Sequence, residues 1–227
     1  MVTTATENKT DSQIQQDVLR ELRWDARVKE TEIGVEVDQG IVTLTGRVES
    51  YAKKLAAREA AHRVFGVLDV VDDVEVRIPG SLTRTDEDLA RAVRHALEWD
   101  VFLPDTKIRT TVSHGLVTLE GEVENLVDRY DAERAVRRLQ GIKGVANNLA
   151  VTVKKADEGK LRKAIQDTLE RRADREADMI DVNVSDGKVT LEGRVHSWAE
   201  KQAILDAVRQ APNVRFVSAD LKIEPVF

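Results

Sequence analysis

The sequence predicts an α+β protein built from three tandem αββαβ units, each a small three-stranded sheet with two helices packed on one face. Three observations predict it. A glycine-bounded segment recurs as Gly40-Ile-Val-Thr-Leu-Thr-Gly46, Gly115-Leu-Val-Thr-Leu-Glu-Gly121 and Gly187-Lys-Val-Thr-Leu-Glu-Gly193, spaced 75 and then 72 residues apart. The 75-residue offset also carries Trp24-Asp25 onto Trp99-Asp100 and Gly66-Val67 onto Gly141-Ile142. Within each copy the hydrophobic period switches between helical and alternating in the same order.

Each unit opens with a helical stripe at i, i+4, i+8: Ile14, Val18, Leu22; Leu89, Val93, Leu97; Leu161, Ile165, Leu169. That spacing puts all three on one helical face. A short alternating strand follows, with Ile33, Val35, Val37 in the first copy, Ile108 and Val112 in the second, and Ile180, Val182, Val184 in the third. The turns at Gly40, Gly115 and Gly187 suit a tight hairpin, because glycine takes the positive φ the turn demands. The second strand alternates strictly, so Val42, Leu44, Gly46 and Val48 share a face, as do their counterparts. Gly46, Gly121 and Gly193 therefore point to the apolar side, where a missing side chain lets a helix approach closely.

The second helix supplies small inward residues: Ala57, Ala60, Ala61, Val64; Ala132, Ala135, Val136, Leu139; Ile204, Ala207, Val208, Ala211. It opens at Ser50, at Asn125, and at Ser197-Trp198-Ala199-Glu200, a reciprocal Ser-x-x-Glu cap. A third strand closes each unit around Val74, Leu149 and Leu221. The expected layout is a disordered lead-in over 1–11 and units over 12–79, 86–154 and 157–225, joined by short linkers at 79–85 and 154–157.

The combined pattern is a helix, an apolar-x-apolar strand, x-Gly-x-Val-x-Leu-x-Gly-x-Val, and a helix ending in Gly-Val-x-x-Val. It resembles the BON domain of bacterial osmotically inducible and nodulation-associated proteins, three times over nearly the whole chain. The resemblance implies an αββαβ sandwich, a bacterial source, and a transport-associated, stress-response or envelope-maintenance role with phospholipid association. Relatives joining one such domain to a second module are linked to potassium sensing, which implies ion binding as an alternative. Three features depart from the pattern. The periplasmic relatives are exported, whereas the first residues here lack a basic start and an apolar stretch of about 7–15 residues. Asn213, after Pro212, stands where Gly66 and Gly141 stand, and Arg171-Arg172 replaces Trp24-Asp25.

Composition narrows the function. The 227 residues are 41% hydrophobic and 33% charged, enough to bury cores. A net charge of −6 argues against a phosphate-backbone binder, so no nucleic-acid partner is expected. The chain has no cysteine, which excludes disulfides, thiolate metal sites and a cysteine nucleophile. No window approaches the roughly 18 apolar residues of a membrane span. The expected location is the cytoplasm, at most peripheral to a membrane.

Motifs for catalysis are missing. The repeated glycines lie across a hairpin and strand, so they form neither a dinucleotide fingerprint nor a phosphate loop. His62, His95, His114 and His196 make no metal-binding pair, and Asp86-Glu87-Asp88 opens a helix, where negative charge suits the dipole. The expectation is a non-enzyme with no cofactor and no metal. Arg134, Arg137, Arg138 and Lys143 give the second unit a positive edge. It is a solvated helix face on the plain reading, or a contact for anionic lipid or another anion. Trp24, Trp99 and Trp198 read first as core or helix-end packing, and alternatively as exposed aromatics that anchor in a headgroup layer or a partner's pocket. The expected function is a non-catalytic stress-response binding protein associating peripherally with phospholipid. The alternative is a cytoplasmic module for a small polar ligand or ion, or a protein-interaction scaffold using its unpaired outer strands.

Overall fold

The computed structural model describes residues 9–103, 107–153, 157–172 and 180–224. Each of the three copies runs helix, strand, strand, helix, strand. The first contains α1 (Asp11–Trp24), β1 (Ile33–Asp38), β2 (Ile41–Val48), α2 (Tyr51–His62) and β3 (Asp69–Val76). The second contains α3 (Asp86–Glu98), β4 (Ile108–Ser113), β5 (Leu116–Val123), α4 (Leu126–Val136) and β6 (Gly144–Val151). The third contains α5 (Glu158–Arg172), β7 (Ile180–Ser185), β8 (Lys188–Val195), α6 (Trp198–Arg209) and β9 (Phe216–Ile223). The chain divides into two compact units, one of Met1–Arg77 with Val195–Lys201 and Lys222–Phe227, the other of Ile78–Arg194 with Gln202–Leu221.

Every sheet places its middle strand second in sequence, in the orders β1-β2-β3, β4-β5-β6 and β7-β8-β9. β1 pairs antiparallel with β2, and β2 pairs parallel with β3, as β4, β5 and β6 do. A parallel return needs a crossover, and the second helix of each copy supplies it. In the third copy the Arg215 N–H donates to the Gly187 carbonyl and the Glu224 N–H to the Val195 carbonyl. Both strands ascend together, so this return is parallel as well.

The hairpins have two-residue loops, since Asp38 pairs with Ile41 and Ser113 with Leu116. Both loop residues take positive φ: Gln39 and Gly40 at +49° and +77°, His114 and Gly115 at +53° and +81°, Asp186 and Gly187 at +48° and +73°. This is the turn whose twist matches the flanking strands. The first residue of each leading helix holds it. Asp11 accepts the Gln39 and Gly40 N–H groups, both at 2.9 Å. Asp86 accepts those of His114 and Gly115 at 2.7 and 3.0 Å, and Glu158 accepts that of Asp186 at 2.8 Å. The two amides hold the Asp86 carboxyl below its ordinary value. α1 thus starts inside the stretch expected as a lead-in, capped by Thr10.

The first core joins Ile14, Val18 and Leu22 of α1 to Val42, Leu44 and Val48 of β2 and to Ala56, Ala57, Ala60 and Ala61 of α2. The helical stripes and alternating strands point inward as their periods require. Asn213 takes a φ of +63° and so performs the turn that Gly66 and Gly141 make at +93° and +96°.

Gly46 has a different reason from the expected one. A Cβ there would overlap the Glu32 carbonyl oxygen, not a helix, and its φ is +120°. Gly46 pairs with Ile33, the first residue of β1, so the chain leading into β1 crosses directly over it. Gly121 repeats the arrangement beneath the Lys107 carbonyl at φ +128°. The approach comes from the neighbouring strand's lead-in, and the helix alanines serve the rest of the core.

Gly46→Ala is expected to lose at least about 1–3 kcal/mol from backbone strain alone, with further loss from the overlap. Gly80, with nothing within 4 Å of an added Cβ and no positive φ, is the control. Urea denaturation should lower the midpoint for Gly46→Ala and leave it nearly unchanged for Gly80→Ala. Equal midpoints for the two variants would refute the role given to Gly46.

Candidate interaction site

α3 ends where its apolar stripe would continue. Leu89, Val93 and Leu97 are buried, and the next i+4 position is Val101. The helix stops at Glu98, with the Trp99 N–H donating to the His95 carbonyl at 3.1 Å. Asp100 then turns the chain. Its carboxylate accepts the Phe102 N–H at 3.1 Å, and its carbonyl accepts the Leu103 N–H at 3.1 Å. The turn sends Leu103 inward and leaves Trp99, Val101 and Phe102 in solvent, at 78%, 86% and 78% exposure. Local hydrogen bonds thus hold three large apolar side chains outward within four residues. A cluster of this kind is a candidate interaction surface.

A groove of about 690 Å³ opens beside this tip. Val101, Phe102 and Leu103 face Glu124, Asn125, Val127, Asp128 and Asp131 across it. Asp131 is bound to Arg134 at 2.6 Å, and Asp128 accepts the Asn125 N–H at 3.2 Å. The rim therefore carries three acids, of which Asp131 is paired with Arg134 and Glu124 with Lys107 at 3.2 Å.

The first copy repeats the backbone device with different side chains. The Asp25 carboxylate accepts the Arg27 N–H at 3.1 Å and its carbonyl accepts the Val28 N–H at 2.9 Å. Val28 turns inward, and Trp24 stands 85% exposed. Arg27, at the place of Phe102, folds back onto Asp25 at 2.7 Å and Glu59 at 3.1 Å. Arg63 reaches Asp25 at 2.9 Å and Glu21 at 2.7 Å. Hydrogen bonds from Arg27, with help from Arg63, hold the Asp25 carboxyl well below the usual carboxylate range. In the third copy the exposed Arg171 takes the tryptophan position.

The three tryptophans therefore part company. Trp24 and Trp99 stand in solvent rather than in a core, the Trp99 ring lying 4.9 Å from that of His95. Trp198 is not exposed: it packs against the first core, and its ring stacks on His62 at 4.0 Å with an 8° interplanar angle. Its Nε1–H donates to the Leu68 carbonyl at 3.0 Å, and the Lys201 ammonium stands 5.0 Å from its ring centre. The Ser197 cap is also modified: its hydroxyl accepts the Glu200 N–H, but the Glu200 carboxylate takes the N–H of His196, one residue earlier.

Arg134, Arg138 and Lys143 are exposed and Arg137 is half-buried, along the end of α4 and the turn before β6. Gly40, Gly115 and Gly187 build hairpins, and Gly46 and Gly121 admit the neighbouring carbonyls. Val101 and Phe102 were not singled out from the sequence, although their signal was present. Apolar residues at the helical period lie just past Asp100, which ends the helix. Among the described residues, no group of three or more His, Cys, Asp or Glu is placed to hold a metal ion. No helix among them is long and apolar enough to cross a membrane.

The repeated αββαβ architecture defines a small α+β domain used in tandem. The chain belongs to the BON domain family, which matches residues 10–78, 85–153 and 157–225. It is similar to osmotically-inducible protein Y of Escherichia coli (strain K12), 33% identical over 126 residues, or 54% of this chain. The match spans 63% of that protein, less than two thirds of its length. Among solved structures, CdsD, a structural protein of the type III secretion system of Chlamydia trachomatis, aligns at 14% identity and a TM-score of 0.28, covering 93% of this chain and 92% of that one. The PrgH periplasmic domain aligns at 10% identity and a TM-score of 0.22, covering 92% of this chain and 99% of that one.

Burial pushes the His62 imidazole down to about 4, with the Arg58 charge adding to the effect, and its Nε2 is buried without a hydrogen-bond partner. The unfolded chain, with a value near 6.5, takes the proton first as pH falls. Stability from neutral His62 is therefore complete above about pH 6.5 and is lost as pH drops towards 4. Urea midpoints should decline over that window for the natural chain and decline less for His62→Phe, which keeps the stacked ring without the titration. Parallel pH profiles for the two would contradict the assignment.

Proposed function

We propose that this chain is a non-catalytic protein of the bacterial osmotic-stress response that attaches peripherally to phospholipid surfaces. The observation that carries the reading is the outward-held trio of Trp99, Val101 and Phe102, with Trp24 as its counterpart in the first copy. Tryptophan favours the headgroup boundary, where its apolar ring leaves water and its indole N–H stays wet, and phenylalanine beside it adds apolar area to bury. The osmotic part rests on the name of the Escherichia coli relative and on the family. The non-catalytic part is supported by structural employment of polar groups. His62 is stacked on Trp198, His95 lies against Trp99, and Asp86 ties down a hairpin.

The acidic rim around Phe102 makes ring insertion the main attraction in this reading. Arg137, Arg138 and Lys143 add a smaller, salt-sensitive pull on anionic headgroups, and Arg134 is already engaged by Asp131. Vesicle flotation of the full chain tests this. Co-flotation with anionic vesicles should persist in reduced form at moderate salt. The Trp99→Ala/Phe102→Ala double variant should bind at least about tenfold more weakly, as expected for two large apolar side chains. Arg138→Glu/Lys143→Glu should remove mainly the salt-sensitive part. No co-flotation at any salt concentration would overturn the reading.

A further inference from the structure

The third copy contains an apolar groove of about 460 Å³ between α5 and α6. Ala164, Ile165 and Leu169 form one wall and Ala207, Val208 and Ala211 the other. Thr168, Arg171 and Gln210 also line it. We propose that this groove binds a single-chain fatty carboxylate of about a dozen carbons, its hydrocarbon along the alanine walls and its carboxylate on Arg171.

Smaller side chains in the third copy make the room. Ala211 occupies the position held by Val64 and Leu139, so the third copy lacks the branched side chain that fills this place in the others. Ala164 stands where the first copy has Asp17, which there binds Lys9 at 2.5 Å. Thr168 and Gln210 stand where Glu21 and Arg63 join α1 to α2 at 2.7 Å. The third copy has thus exchanged an ion-paired seam for an apolar one with a cation beside it.

Size and charge select the occupant. At about 30 Å³ per heavy-atom-sized group, the share of one water in the liquid, the groove holds roughly fifteen such groups. Dodecanoate has that size. A chain of methylenes matches the alanine faces, beneath which Ile165, Leu169 and Val208 are already buried, and removing the methylenes from water supplies the affinity. The Arg171 guanidinium donates to Thr168 Oγ1 at 3.0 Å, which lays it along the groove. A planar guanidinium suits a carboxylate, because two parallel N–H groups match its two oxygens. The inference is independent of membrane attachment through Trp99 and Phe102.

The test is calorimetric titration of the full chain with dodecanoate below its micellar concentration, without vesicles, and in parallel with dodecanol. One dodecanoate per chain is expected. Ala211→Leu, which installs the side chain already present at Leu139, should abolish binding of both ligands. Ala164→Leu, at an exposed wall position, provides a second way to narrow the groove, and thermal unfolding without ligand verifies that each variant folds. Arg171→Gln should weaken dodecanoate about tenfold and leave dodecanol unchanged. Trp99→Ala/Phe102→Ala should bind dodecanoate normally, and Ala211→Leu should still float with vesicles, so the two readings fail separately. Absence of dodecanoate binding, or binding unaffected by both groove-filling variants, would overturn the proposal. An equal loss for dodecanol in Arg171→Gln would refute the role of Arg171.

Discussion

A carboxylate at the start of the leading helix holds the hairpin in every copy, and the rest of the repeat is arranged around that contact. The two loop residues take left-handed conformations, so successive backbone N–H groups converge on one point. Asp11 and Asp86 each meet two of them, and Glu158 meets one. Pinning the helix start to the hairpin tip fixes which helical face lands on the sheet. Ile14, Val18 and Leu22 then cover Val42 and Leu44, and α2 covers the remainder with alanines. The glycine in the central strand belongs to the same geometry, since it gives passage to the segment that joins the helix to the first strand.

The far end of the leading helix carries no such constraint, and there the copies diverge. A short turn follows α1 and α3 alike, built by Asp25 and Asp100. The side chains on that turn differ: Arg27 folds back into ion pairs, whereas Phe102 stays in solvent. The Glu21–Arg63 pair of the first copy is partly exposed, and such a pair contributes about 0–1 kcal/mol. Exchanging its members for Thr168 and Gln210 removes little stability. Buried Leu22, Leu44 and Val18 have no such freedom, because truncating a buried Leu to Ala costs about 2–5 kcal/mol. The repeat thus keeps one core while varying its helix ends and the seam between helices.

The stacking of Trp198 on His62 shows a second kind of divergence. Tyr51 and Leu126 occupy the equivalent helix starts, and only the third copy places an indole there. That indole meets a histidine 136 residues earlier and donates to the Leu68 carbonyl. It covers a ring nitrogen that finds no partner, and this burial disfavours the charged imidazole.

By itself the sequence determined the number of copies, the order of their elements, the hairpins and the residues facing each core. These follow from period, turn chemistry and caps, which act over a few neighbouring residues. The glycines were legible as structural, but the contact that requires Gly46 depends on where the Glu32 carbonyl passes. Exposure of Trp24 and Trp99, burial of Trp198, and the tip formed by Val101 and Phe102 were decided by tertiary structure. An apolar residue at a helix end turns in or out according to where Asp100 stops the helix and whether Leu103 already fills the inward place. No local pattern pairs Trp198 with His62 or opens the seam beside Ala211, because those outcomes depend on groups brought together only after the repeats have folded.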